Sequence, residues 1–174
     1  MAIMNCIIID TNVILVASGQ HQDISLECHK NCILQLQLIE KHGHVVIDDG
    51  YRILQEYSNK TTPNRPKNLG DAFVKWLQRN KGNASRCTQI SITEHHERGF
   101  ESFPDDPELH SFDPPDRKFV AVSAAHPEKP PILQAADCKW LDWKLALNRQ
   151  GINVEFICKD DIERFHKKKF GSNG

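Results

Sequence analysis

The stretch CIIIDTN occupies residues 6–12, and its reading decides the fold. Ile7, Ile8 and Ile9 belong to a run over residues 4–9, apolar except for Asn5, that is rich in β-branched side chains. A strand with one wet face would alternate polar and apolar residues. A continuous run of this kind reads as a strand covered on both faces. The run stops on Asp10, with Thr11 and Asn12 directly behind it. Open α/β sheets place their ligands beyond the carboxyl ends of the strands, so a carboxylate at that point reads as a functional group.

Working outward, residues 25–41 repeat apolar side chains at helical spacing (Leu26, Cys28, Cys32, Ile33, Leu36, Ile39), and Gly43 closes the segment. HVVID at His44–Asp48 reads as a second strand, and a short helix follows from about residue 49. TTPNRPK at 61–67 is a loop with two prolines. Leu69–Asn80 reads as a helix with Phe73, Trp76 and Leu77 on one face. TQISI at 88–92 gives a third strand, 116–126 a helix with Asp116 at its cap, and 130–137 a fourth strand. A helix over 139–150 ends at Gly151, a fifth strand covers 152–158, and a last short helix runs through 163–169.

This alternation of strands and helices predicts a parallel sheet with helices on both faces, an α/β architecture. The 174 residues suffice for a single domain spanning 1–174. Residues 93–115 form the one long irregular insertion, and residues 166–174 form a short basic tail. Apolar residues make up 39% and charged residues 26%, which excludes a disordered chain. The formal net charge is -1, so any nucleic-acid binding must come from a local patch. No apolar run reaches the length of a membrane span. MAIMNCIIID has no positive region before its apolar stretch and does not read as a signal peptide. The six cysteines are scattered, and several sit in apolar runs as small hydrophobes. Cys28 and Cys32 lack a second ligand pair, which argues against zinc, and the compartment reads as reducing and cytoplasmic.

Parallel strands deliver their carboxyl ends to one edge of the sheet, and the crossover helices start there too. Asp10 lies past strand one, Glu56 two turns into the helix after strand two, Asp116 at a helix start, and Asp137 at the end of strand four. All four carboxylates are therefore expected at one edge. Like charges brought together repel and raise one another's pKa, an arrangement a fold tolerates when a cation is present. Oxygen ligands suit Mg2+ or Mn2+. One or two such ions can align a phosphate, generate a hydroxide and stabilise the leaving oxygen.

With these residues in place the chain resembles the PIN domain family of metal-dependent nucleases. IIIDTNVIL resembles the first motif, with Asp10 as its acid; ILQEYSN resembles the second, with Glu56. FDPPDRKFVAVSAA resembles the third, with Asp116 as acid and Asp113 nearby, and ILQAADCKWLDW the fourth, with Asp137 and then Asp142. The resemblance implies a three-layer α/β/α sandwich with a five-stranded parallel sheet of order 3-2-1-4-5. It also implies Mg2+- or Mn2+-dependent hydrolysis of phosphodiester bonds in single-stranded RNA. Many small members are toxins with an antitoxin protein as inhibitor, and a homodimer is a further partner arrangement to expect. In this chain the second acid of the fourth motif is displaced to Asp142, and the insertion makes the chain longer than most stand-alone toxins.

The bland readings stand beside these. Asp10 could cap a turn, Asp116 could be a helix cap as well as a ligand, and Glu56 could be a solvated helix residue. Thr11 and Asn12 could satisfy backbone groups or orient water or phosphate, and Asp113 and Asp142 read as supporting rather than ligating groups. Arg52, Arg117 and Lys118 are the candidate RNA contacts near the acids. His95 and His96 read as solvated, and Trp140 and Trp143 as packing residues. The function expected is a metal-dependent endoribonuclease with Asp10, Glu56, Asp116 and Asp137 as its catalytic and metal-binding residues. The alternative is a catalytically weak or inactive PIN-like module for binding or assembly. A phosphatase or nucleotide binder is disfavoured because no glycine-rich phosphate loop follows any strand.

Overall fold

The computed structural model describes residues 5–171. The expected start of the first strand at residue 4 and the end of the basic tail at 172–174 lie outside the described residues. Strand β1 is Cys6–Ile9, followed by helices α1 (Thr11–Ala17) and α2 (Leu26–His42), then β2 (His44–Asp48). Helices α3 (Arg52–Lys60) and α4 (Leu69–Asn80) lead to β3 (Cys87–Ile90). The insertion holds a two-residue-strand hairpin, β4 (Glu94–His95) and β5 (Gly99–Phe100), and 3-10 turns at Pro107–Leu109 and Pro114–Asp116. Helix α5 (Arg117–Ala125), β6 (Ile132–Gln134), α6 (Lys139–Arg149), β7 (Val154–Phe156) and α7 (Lys159–Phe170) complete the chain.

The main sheet has five parallel strands in the order β3-β2-β1-β6-β7, the order expected with the hairpin strands set aside. The chain steps outward from β1 to β3, then returns to the far side of β1. Right-handed crossovers put the helices of the two halves on opposite faces, and the molecule is a three-layer α/β/α sandwich. Helices α1, α2 and α4 pack together in one layer, and α5 lies against β1, β2 and β6. Ile8, Ile9, Val45, Val46, Ile47 and Ile132 have no exposed surface, which accounts for the unbroken apolar runs in these strands.

Three features differ from the sequence reading. Helix α1 follows β1 immediately, where no helix is expected; Asp10 caps it by accepting from the Asn12 backbone N–H at 2.9 Å. The insertion is folded onto the body: Phe103, Leu109 and Phe112 enter the core, and Phe112 packs against Trp140 edge-on with ring centroids 5.0 Å apart. The cysteines do not all stay separate. Cys28 of α2 forms a disulfide with Cys158, which immediately precedes α7, across 130 positions. Spacing along the chain cannot reveal such a pairing, because it depends on where β7 returns beside α2. Among the described residues no helix is long and apolar enough to cross a membrane.

Candidate active site

The end of β1 is the centre of the site. Asp10 donates its backbone N–H to the Leu133 carbonyl at 2.9 Å, so Asp10 sits level with the last residues of β6. Gln134 there is fully buried, and its Oε1 accepts from the backbone of Ala135 at 2.8 Å and of Asp137 at 3.3 Å. Asn12 Oδ1 accepts from the Ala136 N–H at 3.0 Å. These side chains shape the turn after β6 and hold Asp137 beside the end of β1. Asp137 in turn accepts from the Lys139 N–H at 3.1 Å, at the start of α6.

Glu56 arrives from the β2 side. The Asp48 carboxylate ends β2 and starts α3, accepting from the N–H groups of Arg52 and Ile53 at 2.9 Å each. The buried Tyr57 hydroxyl donates to the Ile9 carbonyl, so α3 is pinned on the last residue of β1. Glu56, the neighbour of that anchor, receives the Thr11 hydroxyl at 2.5 Å on Oε1 and the Lys118 ammonium on Oε2. Asp116 closes the 3-10 turn that Pro114 and Pro115 open, and its side chain caps nothing in α5. The expected capping role is absent, which leaves the Asp116 carboxylate free for the acidic edge.

The electrostatics show which acids influence one another. Burial, then the negative charge of Asp116, and less strongly that of Asp137, push the Asp10 carboxyl up to about 8. The opposing influences, a hydrogen bond from the Asn12 backbone and the dipole of the nearby Gln134 amide, come from uncharged groups. Asp116 rises to about 6, chiefly through burial and then Asp137, with Glu56 and Asp113 adding to it and Lys118 opposing. Asp10, Asp116, Asp137 and Glu56 thus form one electrostatic cluster drawn from four distant segments. The carboxylates of Asp10, Asp116 and Asp137 do not all lie within 4.8 Å of one another.

The remaining expected residues take other places. Thr11 and Asn12 both act within the site, as the contacts above show. Asp113 is paired with Lys139 at 3.0 Å on the rim. Asp142 is exposed on α6, 3.6 Å from His166 of α7, and is not among the acids that influence Asp10 or Asp116. The three basic candidates are engaged with protein. Lys118 is buried against Glu56 and the Pro115 carbonyl. Arg117 is buried and donates to the carbonyls of Phe112, Glu97 and His110 at 3.1, 3.3 and 2.9 Å. Arg52 donates to Glu94 at 3.1 Å and pairs with Asp48 at 3.5 Å. Arg117 and Lys118 brace the acids and the insertion instead of facing solvent, whereas the Arg52 side chain stays 36% exposed. Gln134 was not among the expected residues; a lone amide in the buried strand ILQAA is the signal for it.

Asn12 and Asp137 also line a cavity of about 360 Å³ with His21, Asp23, Cys138 and Phe165, alongside the acids. The His21 and Phe165 rings lie roughly parallel there, 6.1 Å apart. No family model matches this chain, and no curated protein or solved structure matches it either.

Proposed function

We propose that this chain is a Mg2+- or Mn2+-dependent endoribonuclease of PIN-like type that cleaves single-stranded RNA in the cytoplasm. The observation that carries the reading is the gathering of carboxylates at the carboxyl edge of the sheet, where burial and the charges of Asp116 and Asp137 raise the Asp10 carboxyl, and burial and Asp137 raise that of Asp116. Two buried or half-buried carboxylates, Asp10 and Asp116, whose proton affinity burial and neighbouring negative charge raise, together with Asp137 are a donor set suited to a hard divalent cation. Asp10, Asp116 and Asp137 would hold one or two such ions, with Glu56 completing the set. A bound Mg2+ or Mn2+ supplies Lewis acidity to a phosphodiester and to its attacking water.

The chain's own residues provide placement. Thr11 and Lys118 fix the Glu56 carboxylate from two sides. Asn12 and Gln134 fix the backbone that carries Asp137. The cavity beside Asn12 and Asp137 offers an RNA strand room next to the acids. A toxin of a toxin–antitoxin pair is the narrower form of this reading. It rests on the resemblance, and Leu26, Leu34 and Leu38, exposed along α2, give an inhibitor or a second copy an apolar surface.

A second reading, a weak or inactive PIN-like module, is favoured by two observations: the Glu56–Lys118 ion pair and the wider spacing of the acids. A cleavage assay on an RNA pool with Mg2+, Mn2+ or chelator separates the readings. The nuclease reading expects metal-dependent cleavage that Asp10→Asn removes while the circular dichroism stays unchanged. Absence of cleavage together with absence of Mn2+ binding by calorimetry favours the module.

A further inference from the structure

Opposite in character to the acidic edge is a sulfur cluster between α2 and α7. The Sγ atoms of Cys28, Cys32 and Cys158 all lie within 4.8 Å of one another, and all three residues are buried. Cys28 and Cys32 are four apart on α2 and so share one face of that helix. Cys158 comes from the other end of the chain. The two elements are clamped next to the cluster, where Asp161 of α7 accepts from the Ser25 N–H at 2.8 Å and the Ser25 hydroxyl at 2.6 Å. In the structure Cys28 and Cys158 are joined as a disulfide, and Cys32 stands 3.9 Å from the Cys158 sulfur.

We propose that the reduced chain binds one zinc-class cation through Cys28, Cys32 and Cys158, a site that the disulfide closes. Zinc–thiolate bonds of about 2.3 Å at tetrahedral angles separate neighbouring sulfurs by about 3.8 Å. The Cys32–Cys158 separation already has that value, so only Cys28 must swing away from Cys158. A cavity of about 250 Å³ opens on Cys28 and Cys158 and is also lined by Asp160 and Asp161. It gives a water access to the fourth position, and its three carboxylates, with Glu27 as the third, outnumber its one ammonium, Lys159, leaving negative charge that favours a cation. Three thiolates with one oxygen form a soft donor set, distinct from the hard acids at the sheet edge.

Opening the site requires a reductant. With a phosphine, the disulfide gains two electrons and two protons and leaves two thiols, while the phosphine takes oxygen from water and becomes its oxide. On metal binding the three thiol protons pass to solvent.

The test uses the full chain under anaerobic conditions, with and without phosphine treatment, titrated with Co2+. The reduced protein should develop a thiolate-to-cobalt charge-transfer band that saturates at about one ion per chain, as one three-thiolate site requires. Zn2+ should bleach it, and the oxidised protein should lack it. Co2+ at carboxylates gives no such band, so the acidic edge does not interfere. Cys32→Ala and Cys158→Ala should each lose the band, whereas Cys87→Ala, at a buried cysteine outside the cluster, should keep it. Circular dichroism confirms that each variant is folded, and alanine is chosen because it leaves no unpaired hydroxyl in the core. A reduced, folded wild-type chain without the band, or a band unchanged in Cys32→Ala, would overturn the site.

Discussion

Lys118 and Glu56 form an ion pair across 62 positions, with the ammonium buried under the acidic edge and also bonded to the Pro115 carbonyl. The pair neutralises one acid of the cluster and leaves Asp10, Asp116 and Asp137 to repel one another. Lys118→Met keeps the aliphatic stem and removes the charge. Glu56 then loses its counter-ion, and the metal-free protein should be destabilised by about 2 kcal/mol, below the full cost of breaking a buried pair because Glu56 is partly exposed. The same change adds one net negative charge at the edge and should tighten Mn2+ binding. Urea denaturation without metal and Mn2+ calorimetry should therefore move in opposite directions. A variant unchanged in both would remove the pair from any account of the site.

The pH dependence of metal-free stability follows from Asp10. Its carboxyl titrates near 8 in the folded chain, against about 3.8 when free. Between those values the folded state holds a proton that the unfolded state has released. Stability therefore falls as pH rises through the window and levels off above about 8. Asp116 contributes with the same sign between about 3.8 and 6. Each 1 kcal/mol lost lowers the melting temperature by about 2–4 °C for a chain of this size. Melting curves in chelator should drop from pH 5 to pH 8, and Asp10→Asn should flatten the profile, since its amide does not titrate. A wild-type profile that is flat or rises over that range would contradict the repulsion.

Arg117 illustrates how a residue adjoining the acids can act on the fold. Its guanidinium satisfies three carbonyls of the insertion and lies over the Phe103 ring at 5.0 Å. Arg117→Met leaves those carbonyls without their donor at the base of the hairpin. Stability should fall by about 2–3 kcal/mol, and limited proteolysis should cut first within 93–115. The salt dependence of RNA binding should stay that of the wild type, because a buried guanidinium releases no phosphate counterion. A reduced salt slope with unchanged stability would return Arg117 to the RNA surface.

The parallel sheet and the common edge for Asp10, Glu56, Asp116 and Asp137 were legible because both rest on long-range regularities, whereas the strand order was implied by the family resemblance alone. β-branched runs mark buried strands, and parallel strands must end at a common edge. Helix α1 was not legible, for a physical reason. Val13, Ile14 and Val16 are β-branched, which favours a strand reading, and seven residues give too few turns for a periodicity to emerge. Its existence depends on the Asp10 cap and on packing against α2 and α4. The hairpin strands are two residues long and show no alternation. The burial of Arg117 and Lys118 is likewise invisible in sequence. It depends on the insertion folding back over α5, a contact among segments that no local pattern encodes.

The packing of α1 on α4 yields a last prediction. Gly70, in the first turn of α4, lies so close to α1 that a Cβ would stand 1.9 Å from Ser18 Oγ and 2.7 Å from the Ile14 carbonyl oxygen. The Ser18 hydroxyl donates to that same oxygen at 2.8 Å and could rotate away, but the carbonyl is backbone and cannot. Gly70→Ala must push α1 off α4, at a cost of about 1–3 kcal/mol. Removing the hydroxyl in the Ser18→Ala/Gly70→Ala double variant relieves the first clash and leaves the second, so only part of the loss should be recovered. Because α1 carries Thr11 and Asn12, the displacement should also loosen the Thr11–Glu56 and Asn12–Ala136 contacts and weaken Mn2+ binding. Denaturation of the single and double variants, with Mn2+ calorimetry on each, checks both effects. Full recovery in the double variant would show that the hydroxyl alone sets the approach of the two helices.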